Sequence, residues 1–240
     1  PDRFDSAAVG GAWIQGPAES RPGDPWRMFY HGRTEAVEPN IIRLSMGSIG
    51  MAESDDGVLW RQVDGPLRGG AVFEPSSDPL AFDAALVGMG SLIEDRLYYF
   101  GGSREPFEMG DRAILGIRQS IGMAIWNGTA WVQRQQVLGH GAPGSWDEVF
   151  VASPQVLRHG PEDWRMYYHG VGRQDRRFRV GTAISADGLH WERLGAEAVL
   201  GPGEAGAWDA GGCSRRHVFQ LRPGGSYAML YEGVSGEGVH

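Results

Sequence analysis

The sequence predicts an all-β protein assembled from repeated four-stranded units, and three observations carry that prediction. Glycine supplies 38 of the 240 residues without the three-residue period of collagen, and nine tryptophans accompany it, a composition suited to short strands joined by many turns. An aromatic–aspartate pair recurs as Phe4-Asp5, Phe82-Asp83, Trp146-Asp147 and Trp208-Asp209, with 78, 64 and 62 residues between successive aspartates. No amphipathic helical period lies between the pairs.

Each unit is legible strand by strand. After each aromatic–aspartate pair comes a β-prone run such as Ala12-Trp13-Ile14 or Gln155-Val156-Leu157. A second run follows, closed by glycine: Met28-Phe29-Tyr30-His31-Gly32, Leu97-Tyr98-Tyr99-Phe100-Gly101, Met166-Tyr167-Tyr168-His169-Gly170 and Met229-Leu230-Tyr231-Glu232-Gly233. Alternating aromatic and aliphatic residues bounded by glycine read as strands. The third run is Ile49-Gly50-Met51-Ala52, Ile121-Gly122-Met123-Ala124 or Val180-Gly181-Thr182-Ala183. It leads through Asp56-Gly57, Asn127-Gly128 or Asp187-Gly188 toward Trp60, Trp131 or Trp191. Such dipeptides supply the positive φ of a tight hairpin and so join a third strand to a fourth.

Four-stranded antiparallel units of this length in tandem are blades of a β-propeller rather than sandwich halves or solenoid turns. Blade one covers about residues 4–81, blade two 82–145, blade three 146–207, and blade four begins at 208 and is incomplete at 240. Three and a half blades do not close a ring, so the native protein is expected to continue beyond His240, a four-bladed ring completed by an unrecognised segment being the alternative. Blades one and two carry long insertions between strands two and three, Arg33 to Ser48 and Ser103 to Ser120, where blade three has only Val171 to Arg179. Long polar loops on a rigid scaffold are usual places for ligand contacts, although they can equally be solvent loops.

Composition excludes several function classes. The chain has no lysine, so arginine carries all 22 basic charges. Schiff-base and pyridoxal-phosphate chemistry, a Walker-type loop and a protein kinase each need a lysine amine. A net charge of −8 argues against a sequence-independent grip on nucleic acid. No run of about 18 apolar residues exists to span a bilayer. The single Cys213 cannot form an internal disulfide and leaves the compartment undetermined. Asn127-Gly128-Thr129 fits a glycosylation acceptor, but Asn-Gly before an aromatic strand reads first as a hairpin turn. Seven scattered histidines give no zinc spacing, and Gly-x-Ser-x-Gly is absent.

The aromatic–aspartate pair with Ser153-Pro154-Gln155-Val156, the Met166-Tyr167-Tyr168 run and the Ser-x-Asp-Gly-x-x-Trp turn resemble the blades of the five-bladed propeller glycosidase superfamily. That group includes the arabinanases and arabinofuranosidases of glycoside hydrolase family 43 and the invertases and levansucrases. The resemblance spans most of the chain and implies a propeller of five blades when complete. It also implies three axial carboxylates serving as base or nucleophile, acid tuner and general acid, the division of labour that glycoside hydrolysis needs. Some of those propellers hold an axial calcium ion. No residue here demands one, and no other cofactor is implied.

The family's base is an Asp in an Asp-Pro pair opening the innermost strand of blade one, and the matching column here reads Gly11, Met89, Ser153 and Arg215. The substitutes are Asp5, Asp83 and Glu148. Asp5 and Asp83, however, share their column with Asp147 and Asp209, and a role repeated in every blade is most simply structural. Glu148 breaks its column of Ser6, Ala84 and Ala210, which makes it the better candidate for an acid, its bland alternative being a solvated glutamate.

The column after strand two, His31, Phe100, His169 and Glu232, offers groups for sugar hydroxyls. Arg215, Arg216 and His217 replace the small or apolar residues of other blades. Guanidinium forks suit carboxylates and phosphates, so these residues read either as an anionic-sugar or phosphate subsite or as inter-blade ion pairs with an aspartate. Arg104, in the second insertion, joins this ligand set. Trp13 and Trp126 lie outside the recurring tryptophan columns and are candidates for sugar stacking. The expected function is that of a carbohydrate-active propeller binding a carbohydrate or another small polar ligand, and hydrolysing a glycosidic bond through Glu148, Asp5 and Asp83. A non-catalytic glycan- or protein-binding propeller and a glycoside phosphorylase are the alternatives.

Overall fold

A computed structural model describes residues 3–17, 24–35, 40–42 and 47–236. His240 and parts of the first insertion, residues 36–39 and 43–46, lie outside the described residues. Among those described there is no α-helix, only a single 3₁₀ turn at Arg68–Gly70. The first sheet is a meander of β1 (Ala8–Gln15), β2 (Trp26–Arg33), β3 (Ser48–Ser54) and β4 (Arg61–Val63). The second comprises β5 (Leu86–Ile93), β6 (Arg96–Gly102), β9 (Gln119–Trp126) and β10 (Trp131–Leu138), with a small hairpin, β7 (Phe107–Met109) and β8 (Arg112–Ile114), inserted after β6. The third comprises β11 (Phe150–Gly160), β12 (Asp163–Val171), β13 (Phe178–Ser185) and β14 (Glu192–Arg193). β15 (Gly212–Gln220) and β16 (Tyr227–Val234) pair with each other and touch β13 through one parallel bridge, Phe178 to Gly212. The innermost strands β1, β5, β11 and β15 pack in succession, which is the radial arrangement of a propeller.

The recurring residues have a common physical task. The ring of each aromatic–aspartate pair wedges under its own sheet, where only glycine leaves room. A Cβ on Gly122 would stand 2.6 Å from the Phe82 ring, and one on Gly101 would stand 2.2 Å from the Asp83 Cβ. Gly50 and Gly181, and Gly32, Gly170 and Gly233, meet the same groups in the other sheets. Glycine therefore does more than close strands: it seats the wedge.

Every innermost strand carries a one-residue bulge at the same place, between Gly10 and Trp13, Met89 and Ser91, Ala152 and Gln155, and Cys213 and Arg216. Ser153 accordingly has φ of 50°. A bulge bends its strand and re-aims side chains, here in the column of Gly11, Met89, Ser153 and Arg215.

Adjacent innermost strands are tied by buried hydrogen bonds. The Gln155 amide clasps both backbone groups of Val218 at 2.8 and 2.7 Å, and the Val156 amide donates to Ser91 Oγ at 3.0 Å. The main core clusters lie between sheets, around Tyr98, Met123, Val156 and Met166 on one side and Phe73, Val87, Leu97 and Tyr99 on the other.

The Ser-x-Asp-Gly turns form as expected. Ser185 Oγ accepts from the amides of Asp187 and Gly188, and Asp187 Oδ1 from those of Leu189 and His190. Ser54 and Asp56 repeat the pattern. Asn127 closes its own turn by accepting from the amides of Thr129 and Ala130.

Candidate functional site

The aspartate column builds one latch per sheet. Tyr30, Tyr99, Tyr168 and Tyr231 on the second strands donate to Asp5, Asp83, Asp147 and Asp209 at 2.7, 2.7, 3.1 and 3.0 Å. The fourth strand adds a further donor: Gln62 to Asp5 at 2.7 Å, Arg134 to Asp83 at 2.6 Å and Arg193 to Asp147 at 2.8 Å. Arg3 adds an ion pair to Asp5 at 2.9 Å. Burial pushes the Tyr99 and Tyr168 hydroxyls far up, and the neighbouring carboxylates reinforce it. Burial acts upward on Asp5 as well, but the bonds from Tyr30 and Arg3 prevail and hold it below its usual range. Asp5, Asp83 and Asp147 thereby tie the segment ahead of the first strand to the second and fourth strands of their own sheets, and Asp209 ties it to the second.

The pattern of letters does not reveal the fourth-strand donors. They stand two or three residues beyond Trp60, Trp131 and Trp191, and insertions of unequal length hide that column when the repeats are aligned on aspartate.

Glu148 is buried, 8% exposed, and clamps two loops. Its carboxylate accepts from the amides of Gly144 at 2.6 Å and Arg173 at 3.0 Å, while its own carbonyl accepts from Arg118 at 2.8 Å. The Gly144 amide, then the Arg173 amide and the Arg173 and Arg118 charges, outweigh burial and hold its pKa below the ordinary range. A general acid needs the opposite shift. Asp5, Asp83 and Glu148 each find their hydrogen-bond partners in different surroundings, and among the described residues no hydrogen bond joins any two of them.

The column after the second strand brings His31 and Phe100 together. His31, Phe100 and His169 sit opposite Gly10, Gly88 and Ala152 on the innermost strands, and the Phe100 ring lies over Gly88, where a Cβ would stand 2.1 Å from it. The His31 and Phe100 rings stack at 6.5 Å, and His169 lies edge-on to Phe150 and Phe178 at 6.2 and 5.7 Å. Glu232 accepts from Ser214 Oγ at 2.7 Å.

Arg216 reaches across from β15, donating to the Tyr167 carbonyl at 2.6 Å and lying 3.4 Å from His169 Nδ1. Its Nε is buried without a partner, as is Nδ1 of His31. Among the described residues, the alternative of an inter-blade ion pair with an aspartate is thus not realised at Arg216. Arg215 is exposed, and its charge reaches both imidazoles. Burial, then Arg33 and Arg215, push His31 down to about 4 against a bond with the Val87 backbone. Burial, Arg216 and Arg215 push His169 well below its ordinary value. Burial alone lowers Arg216 to about 9.

The remaining residues singled out by the sequence pattern lie elsewhere. His217 is exposed and stacks on Phe219 at 5.8 Å. Trp13 packs into the core between the first two sheets. Trp126 stands at the far end of β9 from the axial ring, leaning on Trp131 at 5.2 Å. Arg104 lines a cavity of about 520 Å³ with Arg118, Ser120 and His140. A larger open groove of about 1520 Å³ runs past Trp164, Tyr167 and Trp191 on the outer strands and contains none of the axial ring. The two insertions join each other: Ile41 bridges Leu115, and Ile42, Phe107, Ile114 and Ile117 pack with Val149 and Phe150. They thereby support the Phe150 wall beside His169.

Among the described residues no three His, Cys, Asp or Glu side chains gather to hold a metal ion. No helix is long and apolar enough to cross a membrane among those residues.

No protein-family model and no curated protein sequence matches the chain. Its fold does match solved structures. One is BT0996 in an RGII complex, with a TM-score of 0.72, 16% identity, and coverage of 98% of this chain and 68% of that one. Another is described as a glycoside hydrolase, with a TM-score of 0.71, 15% identity and the same coverages. The α-L-arabinofuranosidase from Lactobacillus brevis gives 0.58 at 13% identity, over 98% of this chain and 69% of that one. The chain therefore spans about two thirds of the length of each, and at these identities the likeness is one of fold: the β-propeller shared by these carbohydrate-active proteins.

Proposed function

We propose that this chain is a carbohydrate-active propeller of the glycoside hydrolase kind, with its ligand at the axial end among His31, Phe100, His169, Ser214 and Glu232. The observation that carries this reading is where the repeat breaks. Structural columns such as the aspartate latch stay constant from sheet to sheet, while the column after the second strand reads His31, Phe100, His169 and Glu232, the first three opposite Gly10, Gly88 and Ala152. Residues unnecessary for a blade, converging on one axial end, are best explained by a ligand.

In this reading the two neutral imidazoles exchange hydrogen bonds with sugar hydroxyls, and Phe100 and Phe150 offer apolar faces to a sugar ring. Glu232 is the carboxylate placed for proton transfer at a glycosidic oxygen. Asp5 and Asp83 act through the latch, and Glu148 shapes the loops around the site. A second reading, glycan binding without turnover, is favoured by one observation: among the described residues no second carboxylate is bonded into the axial ring, whereas hydrolysis ordinarily uses two.

A glycan-panel assay of the full protein and of Glu232→Gln separates them. The hydrolytic reading expects turnover in the wild type and roughly a hundredfold loss or more in Glu232→Gln with binding retained. Binding without turnover in either protein selects the second reading. Neither binding nor turnover across the panel would refute both.

A further inference from the structure

We infer that the axial site recognises an oxyanion, a carboxylate or phosphate group belonging to or accompanying the sugar, through Arg216 and Arg215. This deepens the carbohydrate reading and rests on it. In this acidic chain arginines find carboxylates readily: Arg3, Arg134, Arg165 and Arg193 each have one within 3.0 Å. Arg216 has none. Its bonds go to a neutral carbonyl and a neutral imidazole, and its Nε is buried with no partner. An uncompensated guanidinium in such surroundings is costly, and the neighbouring exposed Arg215 offers the fork of N–H donors that is best suited to a planar or tetrahedral oxyanion.

The neighbours sharpen the point. His31 is 8% exposed, with Nδ1 unpartnered. Both axial histidines are kept neutral by burial and by the arginines, so they add hydrogen-bonding capacity without supplying the missing negative charge. Arg215 lies at the exposed side of the same cluster and has no hydrogen bond or ion pair among the described residues. The one carboxylate named in the ring, Glu232, is engaged by Ser214 rather than by either arginine. Positive charge is left over beside the axial histidines.

The test is calorimetric titration of the full chain with digalacturonate, its neutral methyl ester and inorganic phosphate, at low and high salt, repeated on Arg215→Gln and Arg216→Gln. At least one anion is expected to bind about ten times tighter than the neutral ester, with the preference shrinking as salt rises. Arg215→Gln, at an exposed position, should reduce that preference about fivefold or more and leave the ester unchanged. Preference for digalacturonate with phosphate inert identifies a sugar carboxylate. Phosphate that binds alongside the ester identifies a free phosphate. Either supports the inference.

Anions binding no tighter than the ester, or a preference untouched in Arg215→Gln, would overturn it. If Arg216→Gln does not fold, Arg215→Gln decides alone. Ester binding without anion preference would remove the oxyanion subsite and leave the axial carbohydrate site standing. Failure of the axial site itself would be read from the glycan panel.

Discussion

Asp83→Ala separates a latch from a catalytic carboxylate, because the structure assigns it a cost that a solvent-facing acid would not have. Asp83 is 1% exposed. Its Oδ2 receives the Tyr99 hydroxyl at 2.7 Å and Arg134 at 2.6 Å. Truncation strands a buried hydroxyl, worth about 1–3 kcal/mol. It also strands the Arg134 guanidinium, for which breaking a buried pair costs about 3–5 kcal/mol. Arg134 keeps 27% of its side-chain exposure and its bond to the Glu74 carbonyl, so the lower end applies, and the two losses overlap. The expected total is about 4 kcal/mol, a large part of the ~5–15 kcal/mol typical of a domain.

Asp209 supplies the internal control. It receives only Tyr231, at 3.0 Å on a half-buried ring, and no arginine among the described residues. Asp209→Ala should cost about 1 kcal/mol. Urea unfolding of both variants measures the difference. Equal losses, or an Asp83→Ala protein of wild-type stability that has lost turnover, would refute the latch.

Three further outcomes follow from the same contacts. Gly101→Ala should destabilise by about 2 kcal/mol or more, since the added Cβ meets Asp83 Cβ at 2.2 Å and its Cα at 2.9 Å; an unchanged melting temperature would contradict the wedge. Ser185→Ala should cost about 1 kcal/mol, because Ser185 Oγ accepts from the amides of Asp187 and Gly188 at 3.2 and 2.9 Å; urea midpoints check this against the wild type. Acid should weaken the fold through His31 and His169, whose folded pKa values lie below their unfolded ones. The unfolded chain then takes up protons first as pH falls, so this contribution is complete above about pH 6.5. It is lost at about 1.4 kcal/mol per histidine per pH unit below that, toward about pH 4 for His31. In urea midpoints between about pH 7.5 and 5, His31→Gln should show a shallower loss than the wild type, and equal slopes would contradict the burial argument.

The repeat is legible because its parts are chemically obligatory. The aromatic wedge needs glycine beneath it, the wedge's aspartate needs a tyrosine, and the hairpin needs Asp-Gly or Asn-Gly, so the first three blades repeat all of these at similar spacing. The same regularity marks Asp5 and Asp83 as members of a structural column. Features set by departures from that spacing cannot be read in the same way. The bulge ahead of Trp13, Ser91, Gln155 and Arg216 leaves no compositional mark, and Arg134 and Arg193 sit behind insertions of different length.

Glu148 breaks its column, as a functional residue would, yet it does so to bind the Gly144 and Arg173 amides. Loop anchoring and catalysis leave the same trace in a sequence. Trp126 breaks its column for a local reason as well, leaning on Trp131 at the sheet's outer end. By contrast, His31, His169, Arg215 and Arg216, chosen by the same criterion, are neighbours in the fold: Arg216 lies 3.4 Å from His169 Nδ1 and the Arg215 charge reaches both imidazoles. The difference lies in tertiary placement, which strand register controls and a column of letters does not record.

Imidazole NMR during titration with a glycan that binds tests the placement of the ligand in the axial ring with the fewest intervening steps. The His31 and His169 ring resonances should shift in saturable fashion, while those of exposed His190 and His217 stay in place. Saturable binding that leaves His31 and His169 unmoved would contradict an axial site.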